Sequence, residues 1–300
     1  MRSCRLKAAG STVLPILAAV AALVLTTAPP ARAALLPGPA PGSLGPWHPT
    51  GSYLRDSLTS NQGLATVTTS VGPTTVYRGS GTIPLPLLLQ GWQHIGDPGA
   101  RGGYVVDAYQ GPAGASSKLY EVTTPTGQQY DFVHPLAPLS PPELYNNSFA
   151  AVSPDGRWLV SGEWLAMRRL LVFRLPAPGT PQPVSQPLPL AGVITLDRTV
   201  RNVQGCDFVT DRQLLCSSDD PGTDLFGVAK PLLQVDLAQP LGPDAAGAVT
   251  ALGPLPQHSL CTGTFETEGI DVAPDGELRV EVVPPAPCVI TTRVYAYRRS

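Results

Sequence analysis

The chain has 300 residues, of which 43% are apolar and only 14% charged, with 30 Gly, 35 Pro and a formal net charge of −2. So few Lys, Glu and Arg exclude helical bundles and coiled coils, whose outward faces consume them in bulk, while the apolar content is too high for a disordered chain. A turn-rich all-β protein remains.

The first segment reads as an address. Arg2, Arg5 and Lys7 precede an apolar run from Val13 to Leu25, and Ala31-Arg32-Ala33 follows with a small-x-small pattern. This predicts a secretory signal peptide over residues 1–33, cleaved before Ala34. The run is interrupted by Pro15 and falls short of the roughly 20 residues that span a bilayer. No later stretch is longer, so the expected product is secreted and extracellular, with no transmembrane segment. Cys4 lies ahead of the apolar run, unlike a lipoprotein cysteine. Loss of the leader removes Arg2, Arg5, Lys7 and Arg32 and no acid, taking the formal charge from −2 to −6. That balance argues against nucleic acid or an anionic membrane surface as partner, since both demand clustered cations. Residues 34–50, rich in Pro and Gly, read as a flexible lead-in, and residues 51–300 as the folded domain.

Within that domain a hairpin recurs. Ser148–Ser161 (SFAAVSPDGRWLVS), Gln204–Ser217 (QGCDFVTDRQLLCS) and Glu268–Glu281 (EGIDVAPDGELRVE) align without a gap. Asp155, Asp211 and Asp275 take the same turn position, with Gly156 and Gly276 following where a positive φ suits glycine. Weaker copies start at Gln62 and His94, the second turning at Gly102-Gly103. Between the hairpins lie further strand-like runs, among them Thr74–Arg78, Lys118–Thr123, Leu170–Leu175, Leu232–Leu237 and Val289–Tyr297, and no helical period of useful length. About four strands per repeat predict a β-propeller of about five four-stranded blades, with six possible if the Pro-rich stretches hide another. Pairing of Tyr53–Leu58 with Thr292–Tyr297 would close it. A β-sandwich would not repeat one hairpin at constant register.

The string Val152-Ser153-Pro154-Asp155-Gly156-Arg157-Trp158-Leu159-Val160 resembles the S-P-D-G hairpin of WD40-like and TolB-type propeller repeats. Glu268-Gly269-Ile270-Asp271-Val272-Ala273-Pro274-Asp275-Gly276 is similar to repeats of NHL and SMP-30-like (gluconolactonase-type) propellers. The likeness spans 10–14 residues per blade. It implies the fold and no specific family, because propellers host receptors, scaffolds, lactonases and lyases alike.

Four cysteines follow the leader, Cys206, Cys216, Cys261 and Cys288, with no C-x-x-C and with histidines scattered at 48, 94, 134 and 258. Two disulfides fit an exported chain better than zinc. A three-residue turn centred on Asp211 places Cys206 opposite Cys216, with Cα atoms near about 5.5 Å. Ala150/Val160 and Ile270/Val280 are the equivalent pairs, and Cys261 is left to join Cys288.

In a propeller the first strand of each blade lines the axis. The residues opening the five hairpins, Gln62, His94, Ser148, Gln204 and Glu268, are all polar, and three positions on Asp97, Asp207 and Asp271 recur, with Ala65 and Ala151 at the other two. One reading has these groups satisfy backbone and channel water. A second has the channel mouth bind a small polar molecule, a glycan or a peptide, with Glu268 and His94 supplying charge and Trp92 or Trp158 a flat face. A third uses Glu268 with Asp and carbonyl oxygens to hold Ca²⁺. The SMP-30-like resemblance implies a divalent ion at a Glu in such an E-G context, matched here by Glu268 alone.

There is no G-x-S-x-G, no H-E-x-x-H and no phosphate-cradling Gly loop, so no catalytic residue is assigned, although Glu268 and His94 would serve as an acid/base pair if adjacent. Asp219-Asp220-Pro221-Gly222-Thr223-Asp224 reads as a solvated turn before a Ca²⁺ loop. The expectation is a secreted monomeric module for binding or recognition with a polar central channel. The alternative is a metal-assisted hydrolase, lactonase or lyase working at the channel mouth.

Overall fold

A computed structural model describes residues 42–177 and 179–300. The expected signal peptide, the earlier part of the lead-in and Cys4 lie outside the described residues. Strands dominate, arranged as five units in chain order. Blade 1 is the hairpin Gly63–Thr69 and Gly72–Arg78. Blade 2 has an inner strand in two pieces, His94–Ile95 and Gly99–Arg101, followed by Tyr104–Gln110, Ser117–Thr123 and Gln129–Pro135. Blade 3 runs through Ala151–Val152, Trp158–Ser161, Ala166–Arg174 and Leu190–Arg201. Blade 4 comprises Val203–Thr210, Gln213–Ser218, Pro231–Leu237 and Ala245–Pro254. Blade 5 comprises Glu266–Val272, Glu277–Val283, Thr291–Arg299 and, from the other end of the described chain, Trp47–Asp56.

The five inner strands touch in a closed ring, blade 1 to 2 to 3 to 4 to 5 and back to 1. That circuit defines a five-bladed β-propeller. Closure is by antiparallel pairing of Trp47–Asp56 with Thr291–Arg299, including Tyr53 opposite Val294. Because Leu44 and Trp47 are buried in the blade 5 core, the last residues of the Pro/Gly-rich lead-in belong to the sheet. Blades 3 and 4 join at their outer strands through a short parallel contact, Ile194–Leu196 beside Ala245–Gly247. Ser185–Pro187, from a blade 3 loop, adds a parallel strand to the outer edge of blade 2.

Four blades have the full complement of strands; blade 1 has two. After Arg78 the chain forms short helical turns at Ser80–Thr82 and Leu85–Leu89 instead of outer strands. Pro84 and Pro86 cannot donate to a ladder, which explains why an apolar run ending Leu87-Leu88-Leu89 does not extend the sheet. Among the described residues no helix is long and apolar enough to cross a membrane.

The core is divided into the spaces between blades. Phe149, Val160, Val172 and Ile194 of blade 3 pack on Cys206, Phe208, Leu214 and Leu233 of blade 4. Leu215 and Leu232 meet Ile270, Leu278 and Val280 of blade 5. Tyr120, Tyr130 and Phe132 of blade 2 face Leu159, Leu171 and Phe173 of blade 3. The blade 5 to blade 1 interface is more polar: Tyr53 and Tyr77 share a 2.9 Å hydroxyl contact, and Arg279 Nη1 donates to the hydroxyls of Thr66 and Thr75.

The hairpin register holds in blades 4 and 5, where Cys206 faces Cys216 and Ile270 faces Val280. Both disulfides form, Cys206–Cys216 and Cys261–Cys288. The first has a Cα separation of 4.1 Å rather than the expected 5.5 Å, matching the closer, non-hydrogen-bonded class of antiparallel pair. In blade 3 the register is displaced by one: Val160 faces Ala151, not Ala150. The cause is Ser153, whose Oγ accepts the Trp158 N–H at 3.0 Å and donates to Asp155 at 2.6 Å. Its backbone N–H then reaches Trp158 O, five residues on, whereas Ala273 N–H reaches Glu277 O, four residues on.

Candidate functional site

The inner strands begin at one face of the propeller, here the upper face, and run to hairpin turns at the lower face. Asp97, fully buried, sits on the axis. Its Oδ1 accepts the N–H of Leu64 in blade 1 at 3.0 Å, and its Oδ2 accepts the N–H of Ile270 in blade 5 at 3.1 Å. Three glycines close round it. A β-carbon on Gly63, Gly205 or Gly269 would overlap the Asp97 carboxylate, and one on Gly205 would also lie 3.0 Å from Gly269 Cα. The polar central channel expected from the repeat is therefore filled at this level by one carboxylate and closely approaching backbone. Glycine is required because blade 1 brings its inner strand within backbone contact of blade 5.

Gln62, Ser148, Gln204 and Glu268 stand one residue before this layer, on its upper side. In blade 2 that place is taken by Gly96 and His94 lies two residues further back, because Asp97 pairs beside Phe149 and not, as the repeat alignment expected, beside Ala151. Gln62, His94 and Gln204 are half-buried; Ser148 and Glu268 are buried. They border a plugged axis, not a shared open cavity. The Asp residues three positions on act between blades. Asp207 accepts the Val272 N–H at 2.8 Å, and Asp271 accepts the N–H and hydroxyl of Thr66 at 2.8 and 2.7 Å. Each Asp thus ties its own inner strand to a neighbouring one, a use of buried acceptors that leaves fewer backbone donors unsatisfied.

Electrostatics at the axis are dominated by burial of acids. Burial pushes Asp97 well above the usual carboxylate range, against the two N–H bonds that favour its charge. Burial, then the charges of Glu266, Asp219, Glu281 and Asp97, push Glu268 up strongly. Asp207 is raised to about 7 by burial and by Asp271 beside it. Glu281 is raised by burial, and neither of its buried carboxyl oxygens has a hydrogen-bond partner. His94 is lowered, also by burial.

Among the described residues no three His, Cys, Asp or Glu side chains come together as a metal-binding group. The donor set that Ca²⁺ requires does not gather round Glu268, so no metal-assisted step is derived from it. The acidic turn is likewise committed elsewhere: Arg201 pairs with Asp220 at 3.0 Å and Asp224 at 2.8 Å, and Lys230 with Asp219. Trp158 lies in the blade 3–4 core beneath Arg174, whose guanidinium is 5.4 Å from its ring, and Trp92 packs on blade 2.

The cavity that the repeat did not reveal lies on the lower face between blades 2 and 3. It encloses about 640 Å³. Tyr104, Val106, Val122, Tyr130, Phe132 and Val152 form its walls, the turns at Thr124–Thr126 and Pro154–Gly156 its rim, and Leu175–Ala177 with Gly179–Gln182 its outer side. Arg101, the last residue of the blade 2 inner strand, lines it. The signal in the sequence was the Pro-rich segment after Leu175 together with aromatic residues alternating along Gln129–Pro135. Neither is distinguishable from ordinary loop and core without knowing that blades 2 and 3 splay apart there.

A second feature missed from sequence is a buried ionic cluster on the upper side of the same two blades. Lys118 Nζ lies 2.7 Å from Glu143 Oε1, and His134 Nε2 lies 2.9 Å from Glu143 Oε2. All three side chains are essentially inaccessible. Burial alone would raise Glu143, but the His134 hydrogen bond, the Lys118 charge and hydrogen bond and the Ala137 N–H bring it down to about 2.

Fold and sites thus define a disulfide-bearing five-bladed propeller with a plugged axis and a lateral apolar cleft. No family model and no curated protein matches the chain. Solved structures similar to it include two β-propeller domains. The β-propeller domain of the Trilobed protease from Pyrococcus furiosus aligns at TM-score 0.29 and 10% identity, over 63% of this chain and 54% of that one. The Cps50 (Swd1) β-propeller domain of Myceliophteria thermophila aligns at 0.34 and 10%, over 76% and 61%. Native arabinanase Arb43A of Bacillus subtilis aligns at 0.38 and 12%, over 84% and 93%. The chain thus spans little more than half the length of the first two.

Proposed function

We propose that this protein is a recognition module acting outside the cytoplasm, and that it holds a small ligand in the cleft between blades 2 and 3. The cleft carries the reading: its 640 Å³ falls in the size range of ligand pockets, and its walls combine aromatic and aliphatic faces with few polar groups. The plugged axis favours this lateral site over the channel mouth. Two disulfides and the leader-like N-terminal sequence support an oxidising compartment.

The test is a thermal-shift panel of sugars, short peptides, organic acids and lactones on the full chain, repeated on Val122→Trp, which fills the cleft, and on Glu268→Gln. Compounds that raise Tm in the wild type and in E268Q but not in V122W support the cleft, since a ligand bound only by the native state stabilises it. Compounds whose effect survives V122W and disappears in E268Q would return the site to the upper face. Turnover of a lactone or ester by the wild type would overturn the non-catalytic reading.

A further inference from the structure

We propose that the cleft between blades 2 and 3 takes an amphiphilic monocarboxylate, a free molecule with an aliphatic or aromatic body and one terminal carboxylate received by Arg101. The proposal rests on the cleft being the binding site and adds the chemistry of what enters it.

Six arginines among the described residues are held in ion pairs, and Arg101 is not one of them. Arg78 is bound to Asp107, Arg169 to Glu163, Arg201 to Asp220 and Arg298 to Asp275. No such ion pair engages Arg101 among the described residues, and its Nε is buried without a hydrogen-bond partner. A guanidinium without an ion-pair partner at an apolar wall gains charge-assisted hydrogen bonds from an incoming anion. A carboxylate matches the forked donor geometry of guanidinium.

The other charged residue lining the cleft is the rim carboxylate Asp155. The adjoining pocket, which shares Leu175, Pro176 and Ala177 with the cleft, is bordered by Arg157 and Arg174. The acid on the rim, Asp155, is already occupied by the Ser153 hydroxyl at 2.6 Å and the Arg157 N–H at 3.1 Å. A cation would therefore meet Arg101 and a carboxylate already hydrogen-bonded, whereas an anion meets a guanidinium with no ion-pair partner. A single guanidinium at an apolar wall suits one negative charge. Tyr104, Val106, Tyr130 and Phe132 supply surface for a hydrocarbon or aryl body, where each buried methylene contributes about 0.8 kcal/mol.

Isothermal titration of the full chain with decanoate and with 1-decanol, which keeps the tail and drops the charge, tests the assignment. The expected result is saturable one-to-one binding of decanoate at least tenfold tighter than of decanol. Arg101→Leu should weaken decanoate at least tenfold and leave decanol unchanged, Arg101→Lys should fall between, and V122W should abolish both. Equal affinity for the two ligands, no binding of decanoate, or undiminished decanoate binding by an R101L or R101K protein with native Tm would overturn the proposal. If decanoate fails while other panel compounds still lose their effect in V122W, the ligand class is wrong and the cleft stands. If those effects survive V122W, the cleft itself is wrong.

Discussion

The axial plug makes an energetic demand that a double-mutant cycle on Asp97 and Gly205 measures. Asp97→Ala leaves the N–H groups of Leu64 and Ile270 buried without acceptors, and each such orphan costs about 1–3 kcal/mol, so the single change should cost about 2–6 kcal/mol. Gly205→Ala places a methyl group against the Asp97 carboxylate, 2.9 Å from its Cγ and 3.0 Å from Gly269 Cα. Overpacking typically costs about 1–3 kcal/mol. Displacing Oδ2 from Ile270 adds an orphaned donor, giving about 2–6 kcal/mol in all. In the double variant the carboxylate is gone, the methyl occupies part of its space, and the total should be close to that of Asp97→Ala alone. The expected coupling is therefore a few kcal/mol, well above the roughly 0.3–0.5 kcal/mol within which independent sites add. Equilibrium urea unfolding of the four proteins with disulfides intact provides the values. Additive costs would mean that Gly205 and Asp97 do not meet on the axis, and the description of the plug would be wrong. Gly63→Ala is the control: its β-carbon would also strike Asp97 Cα at 2.5 Å, so removing the side chain should not rescue it.

Two further outcomes follow from the buried charges. Asp97, Glu268 and Glu281 are raised by burial, and Glu121 and Asp207 are raised to about 7, so all five bind protons more tightly folded than unfolded. For Glu121 and Asp207 that stabilisation is complete below about pH 4 and is lost as pH rises through about 7, and Asp97, Glu268 and Glu281 act in the same direction. Tm measured calorimetrically at constant ionic strength should be higher at pH 5 than at pH 8, and Glu281→Gln should flatten the slope; a Tm that climbs over that interval refutes this. Glu143, lowered to about 2, acts in the opposite sense, adding stability above about pH 4.5 that is lost as pH falls toward 2. Lys118→Met strands the Glu143 carboxylate with His134 in a dry interface and should cost about 3–5 kcal/mol in urea unfolding, while K118M/E143L together should cost less than K118M alone. Equal costs would show that the pair is not coupled.

What the sequence determined by itself was everything carried by local period and turn chemistry. Alternating strands, Asp-Gly turns and the recurring hairpin sufficed for the propeller, for the closure through Tyr53 and, with the register that holds in blades 4 and 5, for the Cys206–Cys216 bridge. Even the axial glycines were visible as the recurring dipeptides Gln62-Gly63, Gln204-Gly205 and Glu268-Gly269, although their meaning was not. The one-residue displacement in blade 3 depended on whether the Ser153 hydroxyl bonds forward to Trp158, a choice between competing local hydrogen bonds. The tertiary structure alone decided which polar groups meet. Asp97 reaches Ile270, 173 positions away, and whether five polar side chains enclose a channel or surround a plug depends on sub-ångström spacing between backbones. The ion cluster of Lys118, His134 and Glu143 and the cleft beside Arg101 likewise arise where two blades face each other. Repeat periodicity specifies each blade but not the gap between neighbours, because that gap is set by the packing of non-adjacent side chains.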